Sequence, residues 1–256
     1  MRLATWNVNS IRARADRVIE FLERSDTDVL AMQELKCKPD QFPFEPFKEA
    51  GYEVEMVGFN QWNGVAIASR VGIENVSTSF PNQPEFRDKQ EARAIGATCG
   101  GLRVWSLYVP HGRALDDPHY EYKLTFLDEM ANQAQAEMAD KDLKLAVVGD
   151  FNVAPLDEDV WDIAVFEGHT HVSQPERDAF EKFAKIGMEE VTRDRVTNYT
   201  YWDYQKLRFP KNEGMRIDFI YASPALAKAV TNAEIDRDER KGKGASDHVP
   251  VIIDFN

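Results

Sequence analysis

The sequence predicts one α/β domain over residues 1–256, with helices laid against sheet faces. Short segments rich in Val, Ile, Leu and aromatics alternate with stretches of helical period along the whole chain. No Gly/Ser-rich linker, low-complexity tract or short repeat interrupts that alternation, so no domain boundary stands out. A chain of this length buries roughly three quarters of its extended surface, enough for a large core without staples.

The elements follow in order. Leu3–Val8 reads as a strand, and Ile11, Ala15, Val18 and Leu22 then share one helical face. Asp28–Gln33, Tyr52–Val57, Gly64–Ser69, Ala94–Cys99 and Leu102–Tyr108 are further strand-like runs. Tyr120, Leu124, Leu127, Ala131, Ala134 and Met138 mark a long helix, in which Met130 and Met138 read as core filler. Leu143–Val148 is a strand. A third helix begins at Ser173, with Glu176 three residues on as a capping box and Gly187 as its stop. Arg216–Tyr221 and Val249–Phe255 complete the strands.

Composition narrows the class. Two cysteines, Cys37 and Cys99, without CxxC spacing, exclude a disulfide framework and suggest a reducing compartment. The chain opens on an alternating segment instead of a basic region followed by an apolar run, and no stretch approaches bilayer-spanning length. The expectation is a cytoplasmic protein with no membrane partner. The net charge of −13 counts against nucleic acid, whose binders usually show a basic face. Against that, basic residues cluster at Arg12, Arg14 and Arg17; Lys36 and Lys38; Lys206, Arg208 and Lys211; and Arg237, Arg240, Lys241 and Lys243. Solvated surface charge accounts for more than half of these.

The chemistry stands at the strand ends. Leu3–Trp6 runs into Asn7 and Asn9; Val29–Met32 into Gln33, Glu34 and Lys36; Val104–Leu107 into Tyr108, Pro110 and His111; Leu145–Val148 into Gly149, Asp150, Phe151 and Asn152. Asp218 sits between Ile217 and Phe219, and Ser246, Asp247 and His248 precede the last strand. Strand ends are rigid platforms, and ligands of open α/β sheets bind beyond them. Glu34, Asp150 and Asp247 are hard oxygen donors, with Asn7, Asn9 and Asn152 as neutral ones, a set suited to magnesium or manganese and not to zinc. His169 and His171 form a lone HxH, read as surface or loop. Asp218 is either a buried structural acid or the partner that fixes the tautomer of His248.

Taken in order, Trp6-Asn7-Val8-Asn9, Gln33-Glu34-Leu35-Lys36, Tyr108-Val109-Pro110, Gly149-Asp150-Phe151-Asn152, Arg216-Ile217-Asp218-Phe219 and Ser246-Asp247-His248 resemble the endonuclease/exonuclease/phosphatase superfamily, over essentially the whole chain. The resemblance implies a four-layer α/β sandwich: two packed mixed β-sheets flanked by helices. Asp28–Lys36, the Tyr-x-Pro at Tyr108 and Asn212–Asp218 look like exonuclease III and the abasic-site endonucleases. Tyr199-Thr200-Tyr201-Trp202 resembles the aromatic segment of their sugar pocket. Departures are Thr192-Arg193-Asp194-Arg195, Met215, His111 and Ala92, which bear on substrate preference.

The resemblance implies a Mg2+-dependent (Mn2+ as substitute) DNA repair nuclease. It would hydrolyse the phosphodiester 5′ to abasic sites and act at 3′ ends, as a monomer on double-stranded DNA. Glu34 would be the main metal ligand, with Asp247, Asn7, Asp150 and Asn152 around the ion. Asp150 would deprotonate the attacking water and Asn152 hold it in line; His248, braced by Asp218, would neutralise phosphoryl oxygens or act as the base. Tyr108 would donate to the phosphate. Asn9, Lys36, Arg113, Tyr201, Met215 and Arg216 would contact substrate. Two alternatives stand beside this reading: a phosphatase or phosphodiesterase for inositol phosphates or lipid head groups, and a binding module without activity. The full set of acidic residues and His248 speaks against the second.

Overall fold

Alternation within the strands sorts side chains onto two faces, and the chain buries both. The computed structural model describes residues 1–256. Its first sheet contains β1 (Arg2–Asn7), β2 (Val29–Gln33), β3 (Glu53–Val57), β4 (Val65–Ser69), β11 (Val230–Ile235) and β12 (Val251–Phe255), in the order β11-β12-β1-β2-β4-β3. The second contains β5 (Glu74–Ser77), β6 (Ala94–Cys99), β7 (Leu102–Tyr108), β8 (Leu145–Asp150), β9 (Glu189–Glu190) and β10 (Asp218–Ala222), in the order β5-β6-β7-β8-β10-β9. Each sheet is mixed. One parallel pair lies at its centre, β1 with β2 and β7 with β8, and the other pairings are antiparallel.

Leu3, Val29, Ala31 and Ile67 of the first sheet meet Ile95, Val104, Ala146 and Ile220 of the second in a dry central layer. The alternate residues face outward. Trp6, Leu30, Met32 and Ala66 pack under α1 (Ile11–Ser25) and α2 (Phe44–Glu49). Trp105, Leu145, Val147 and Phe219 pack under α3 (Pro118–Glu137) and α5 (Gln174–Lys185). The expected four-layer sandwich is therefore present. Two one-turn helices, α4 (Ile163–Phe166) and α6 (Pro224–Ala227), complete the α-helices. No helix is long and apolar enough to cross a membrane.

The three expected helices are present. Ser173 caps α5 and shares a capping box with Glu176, and Gly187 follows in the left-handed region. In α3 the apolar stripe has an unexpected member: Lys123 is wholly buried, while Leu124 lies at the edge. The strand expected at Arg216 begins only at Asp218, because Arg216 belongs to a polar cluster before the strand. The short edge strands β5, β9 and β11 were not anticipated. One polar link crosses the central layer: Gln33 Nε2 donates to Ser106 Oγ at 3.0 Å, and Ser106 Oγ donates to the Met32 carbonyl at 3.0 Å.

Candidate active site

Both parallel pairs end at the same edge of the sandwich. Asn7 stands opposite Gln33 at the end of β1 and β2, and Asp150 stands opposite both Tyr108 and Asp218 in the second sheet. These ends meet around a cavity of about 500 Å³ lined by Glu34, Tyr108, Asp150, Asn152, Asp247 and His248, among others. The close approach of β8 to β7 depends on Gly149. Its φ of 141° and the Leu107 carbonyl beside it leave no room for a Cβ.

Asn7 ties the sheets together at the cavity floor. Its Nδ2 donates to Glu34 Oε2 at 2.9 Å and to Asp150 Oδ2 at 3.0 Å, while its Oδ1 accepts the Asn9 amide at 3.0 Å. The expected ligand oxygen of Asn7 is thus turned to backbone, and the residue spaces two carboxylates instead. Asn9 donates to Asp247 Oδ1 at 3.0 Å and accepts Lys36 Nζ at 2.5 Å; that ammonium also lies 3.0 Å from Glu34 Oε1. Lys36 Nζ thus lies between the Asn9 amide oxygen and the Glu34 carboxylate, and Glu34, Asp150 and Asp247 line the cavity with hard oxygens of the kind a divalent ion takes.

Asp150 is buried, with Oδ1 accepting the Asn152 amide at 2.9 Å. Burial pushes its carboxyl up to about 7, against the opposing influence of His248. His248 Nδ1 lies 2.8 Å from Asp218 Oδ2, and its Nε2 lies 3.6 Å from Asp150 Oδ2. Burial works against its charge, but Asp218 and then Asp150 outweigh it and push the imidazole up to about 10. Asp150, Asp218 and His248 converge closely enough to suggest a metal cluster. His248 Nδ1 is engaged with Asp218, and Glu34 and Asp247 offer further carboxylates to the same cavity. Burial and the neighbouring Glu34 hold the Tyr108 phenol well above its ordinary value, Arg93 opposing from 4.9 Å over the ring, so the hydroxyl keeps its proton.

Several expected roles change. The Asn152 side chain is partly engaged: Nδ2 donates to the Val109 carbonyl at 2.9 Å and Oδ1 lies 3.1 Å from His171 Nε2. Its backbone amide serves Asp150. Arg216, expected at the DNA backbone, is buried; its guanidinium donates to the Val196 carbonyl at 2.7 Å and Thr192 Oγ1 at 2.8 Å, out of reach of any phosphate. Of the aromatic segment, Tyr201 faces the cavity with its ring 5.0 Å from His248, whereas Trp202 is buried in the core. Met215 and Arg113 line the cavity as expected, and Arg113 lies 5.3 Å over the Phe86 ring. His169 is exposed, and His171, which lies in a loop, is buried and lines the cavity instead of facing solvent. Burial lowers the His171 imidazole well below its ordinary value, so it is neutral, and the Asn152 oxygen calls for the Nε2–H tautomer. Arg17, Arg208 and Lys241, read among the basic clusters, are paired with Glu239, Glu213 and Asp238.

The arrangement has counterparts among known proteins. The model of the endonuclease/exonuclease/phosphatase family matches residues 4–248. The chain belongs to that family. Within it, the chain is similar to exodeoxyribonuclease III of Haemophilus influenzae, 27% identical with all of both chains covered. In structure it is similar to the 3′ phosphatase NExo from Neisseria bound to a product DNA hairpin, with a TM-score of 0.95 and 34% identity over 100% of this chain and 99% of that one. It is also similar to an AP endonuclease from Archaeoglobus fulgidus, with a TM-score of 0.93 and 34% identity over the same shares of the two chains. This family member is an enzyme of the exonuclease III and AP endonuclease type.

Proposed function

We propose that the chain is a Mg2+-dependent DNA repair hydrolase, with Mn2+ as a substitute, that cuts the phosphodiester 5′ to abasic sites and removes nucleotides and phosphate from 3′ ends. The observation that carries this reading is that Glu34, Asp150, Asp247 and His248 line one cavity, with His248 backed by Asp218. When bound, the cation supplies positive charge to a non-bridging phosphate oxygen and to the departing oxygen; Glu34 and Asp247 would hold it, with Asp150 beside them.

The chain's own residues supply the rest. Asp150, held by the amides of Asn7 and Asn152, accepts the proton of the attacking water, and its raised pKa matches it to neutral pH. His248 stays protonated and neutralises a phosphoryl oxygen, which leaves the role of base to Asp150. Tyr108 donates a hydrogen bond to the phosphate. Arg113 at the rim and Lys36 beside Glu34 would meet the DNA backbone. Similarity to the NExo phosphatase favours a second emphasis, in which 3′-phosphate removal exceeds abasic-site incision.

The test is incision of a duplex carrying a tetrahydrofuran abasic analogue, with magnesium and with EDTA, beside 3′-phosphate and 3′-recessed ends. Magnesium-dependent cutting 5′ to the analogue supports incision, and the ends rank the two emphases. Asp150→Asn is expected to lower kcat about a hundredfold or more while DNA still binds. Wild-type turnover in that folded variant would remove Asp150 from the reaction. Hydrolysis of inositol phosphates with none of DNA would move the substrate class.

A further inference from the structure

Behind the cavity lies an ion pair that the chemistry above does not use. Lys123 of α3 and Glu176 of α5 are both fully buried, with Nζ and Oε1 2.5 Å apart. The other two ammonium protons go to main-chain carbonyls, of Asn152 at 2.5 Å and His111 at 3.2 Å. Glu176 Oε1 also accepts the His171 amide at 2.9 Å, and Oε2 accepts Ser173 Oγ at 2.7 Å. His171 in turn reaches the Asn152 side chain. Lys123, Asn152, His171 and Glu176 therefore form a closed ring of hydrogen bonds, with Lys123 and Glu176 wholly buried and Asn152 and His171 facing the cavity. Two loops carrying cavity residues, those of His111 and Asn152, converge on the ammonium, and a third, that of His171, on its carboxylate partner.

We propose that Lys123 and Glu176 are positioning residues for the hydrolytic reaction: their buried pair locks the loops of His111, Asn152 and His171, and through Asn152 it aims Asp150. Asn152 is held at a φ of 49°, in the left-handed region, and its amide donates to Asp150 Oδ1. Releasing the Asn152 carbonyl lets that turn relax and the Asp150 carboxylate swing. Folding alone does not need a charged pair here. Two neutral side chains of similar shape would fill the same space without an unpaired charge, at the cost of the bonds to the Asn152 and His111 carbonyls, whereas a single unpaired charge would cost more. The inference rests on reading Asp150 as the group at the reacting phosphate.

The experiment uses Lys123→Met and the double variant Lys123→Met/Glu176→Gln. The double variant leaves no buried charge unpaired and keeps an oxygen for the His171 amide, so it remains informative if the single variant does not fold. Each is measured for kcat and KM on the abasic and 3′-phosphate duplexes, beside Asp150→Asn. Positioning predicts kcat about ten- to a hundredfold lower in the folded double variant, with KM within about threefold of wild type. A kcat within twofold of wild type, with Asp150→Asn inactive, overturns the proposal and leaves the pair a structural one. Full activity of Asp150→Asn overturns the site reading itself, and the proposal with it.

Discussion

Replacing Asp218 with Asn separates the charge behind His248 from the hydrogen bond that orients it. Asp218 Oδ2 accepts both His248 Nδ1–H at 2.8 Å and the Thr200 hydroxyl at 2.6 Å, whereas Oδ1 has no partner. An Asn oxygen in the Oδ2 position keeps both bonds and turns its NH2 to the unpartnered side, so the substitution removes a charge with little movement. Two unit charges 4 Å apart at an effective dielectric near 20 interact by about 4 kcal/mol. At about 1.4 kcal/mol per pKa unit, loss of the charge lowers His248 by about three units, from about 10 to about 7. The assay is an NMR titration of the imidazole, paired with a pH–rate profile in magnesium. Wild type is expected to hold its rate to about pH 9, while the variant loses about tenfold per pH unit above pH 7. The sign for stability follows as well. A folded pKa above the ordinary histidine value of 6.5 makes this charge stabilising below pH 6.5, and that contribution disappears as pH rises through about 10. The Tm gap between wild type and variant should therefore narrow toward pH 10. If His248 in Asp218→Asn still titrates near 10, or the variant keeps the wild-type alkaline profile, Asp218 acts only as an acceptor and the reasoning fails.

Three further outcomes follow from the same geometry. Gly149→Ala forces a Cβ into the Leu107 carbonyl oxygen at the centre of β7 and β8, and should cost at least about 1–3 kcal/mol in a urea melt while distorting Asp150. Phe151→Ala empties a site packed against Phe180, Phe183, Phe219 and Tyr221; a loss of about 3–5 kcal/mol, or roughly 6–20 °C in Tm, is expected by calorimetry. Arg216→Met should lower Tm through the orphaned Val196 and Thr192 partners, by about 1–3 kcal/mol, yet leave the salt dependence of DNA affinity unchanged; a shallower salt slope would return Arg216 to the DNA interface.

The sequence disclosed the sandwich and the strand-end residues because an apolar run that stops at Asn7, Glu34 or Asp150 marks a rigid platform meeting a cavity. The cap of α5 was legible for a local reason, since Ser173 and Glu176 satisfy each other's backbone within one turn. Lys123 escaped because helical periodicity counts apolar residues and passes over a charge buried in their stripe. Arg216 misled in the opposite sense: a cation beside Asp218 looks like a phosphate contact until Val196 and Thr192, brought in from a separate loop, claim its protons. His171 carries no local signal at all, its burial depending on Glu176 and Asn152. β11 was missed because a register shift between Val230 and Asn232 breaks its alternation, and β5 because it lies exposed at the sheet edge, without a buried face.

The Gln33–Ser106 link has a consequence beyond the bond itself. Apolar burial has no direction, so two sheets joined only by aliphatic side chains can slip by a fraction of an ångström at little energetic cost. Gln33 immediately precedes Glu34, and Ser106 lies two residues before Tyr108. A directional bond at that point acts as a dowel between the halves of a die, set next to the faces that must meet. Hardness and alignment become separate properties of the sandwich: the oily layer supplies resistance to melting, and the dowel, with the Asn7–Asp150 and His248–Asp218 bonds, holds Glu34 and His248 of one sheet opposite Asp150, Asp218 and Tyr108 of the other.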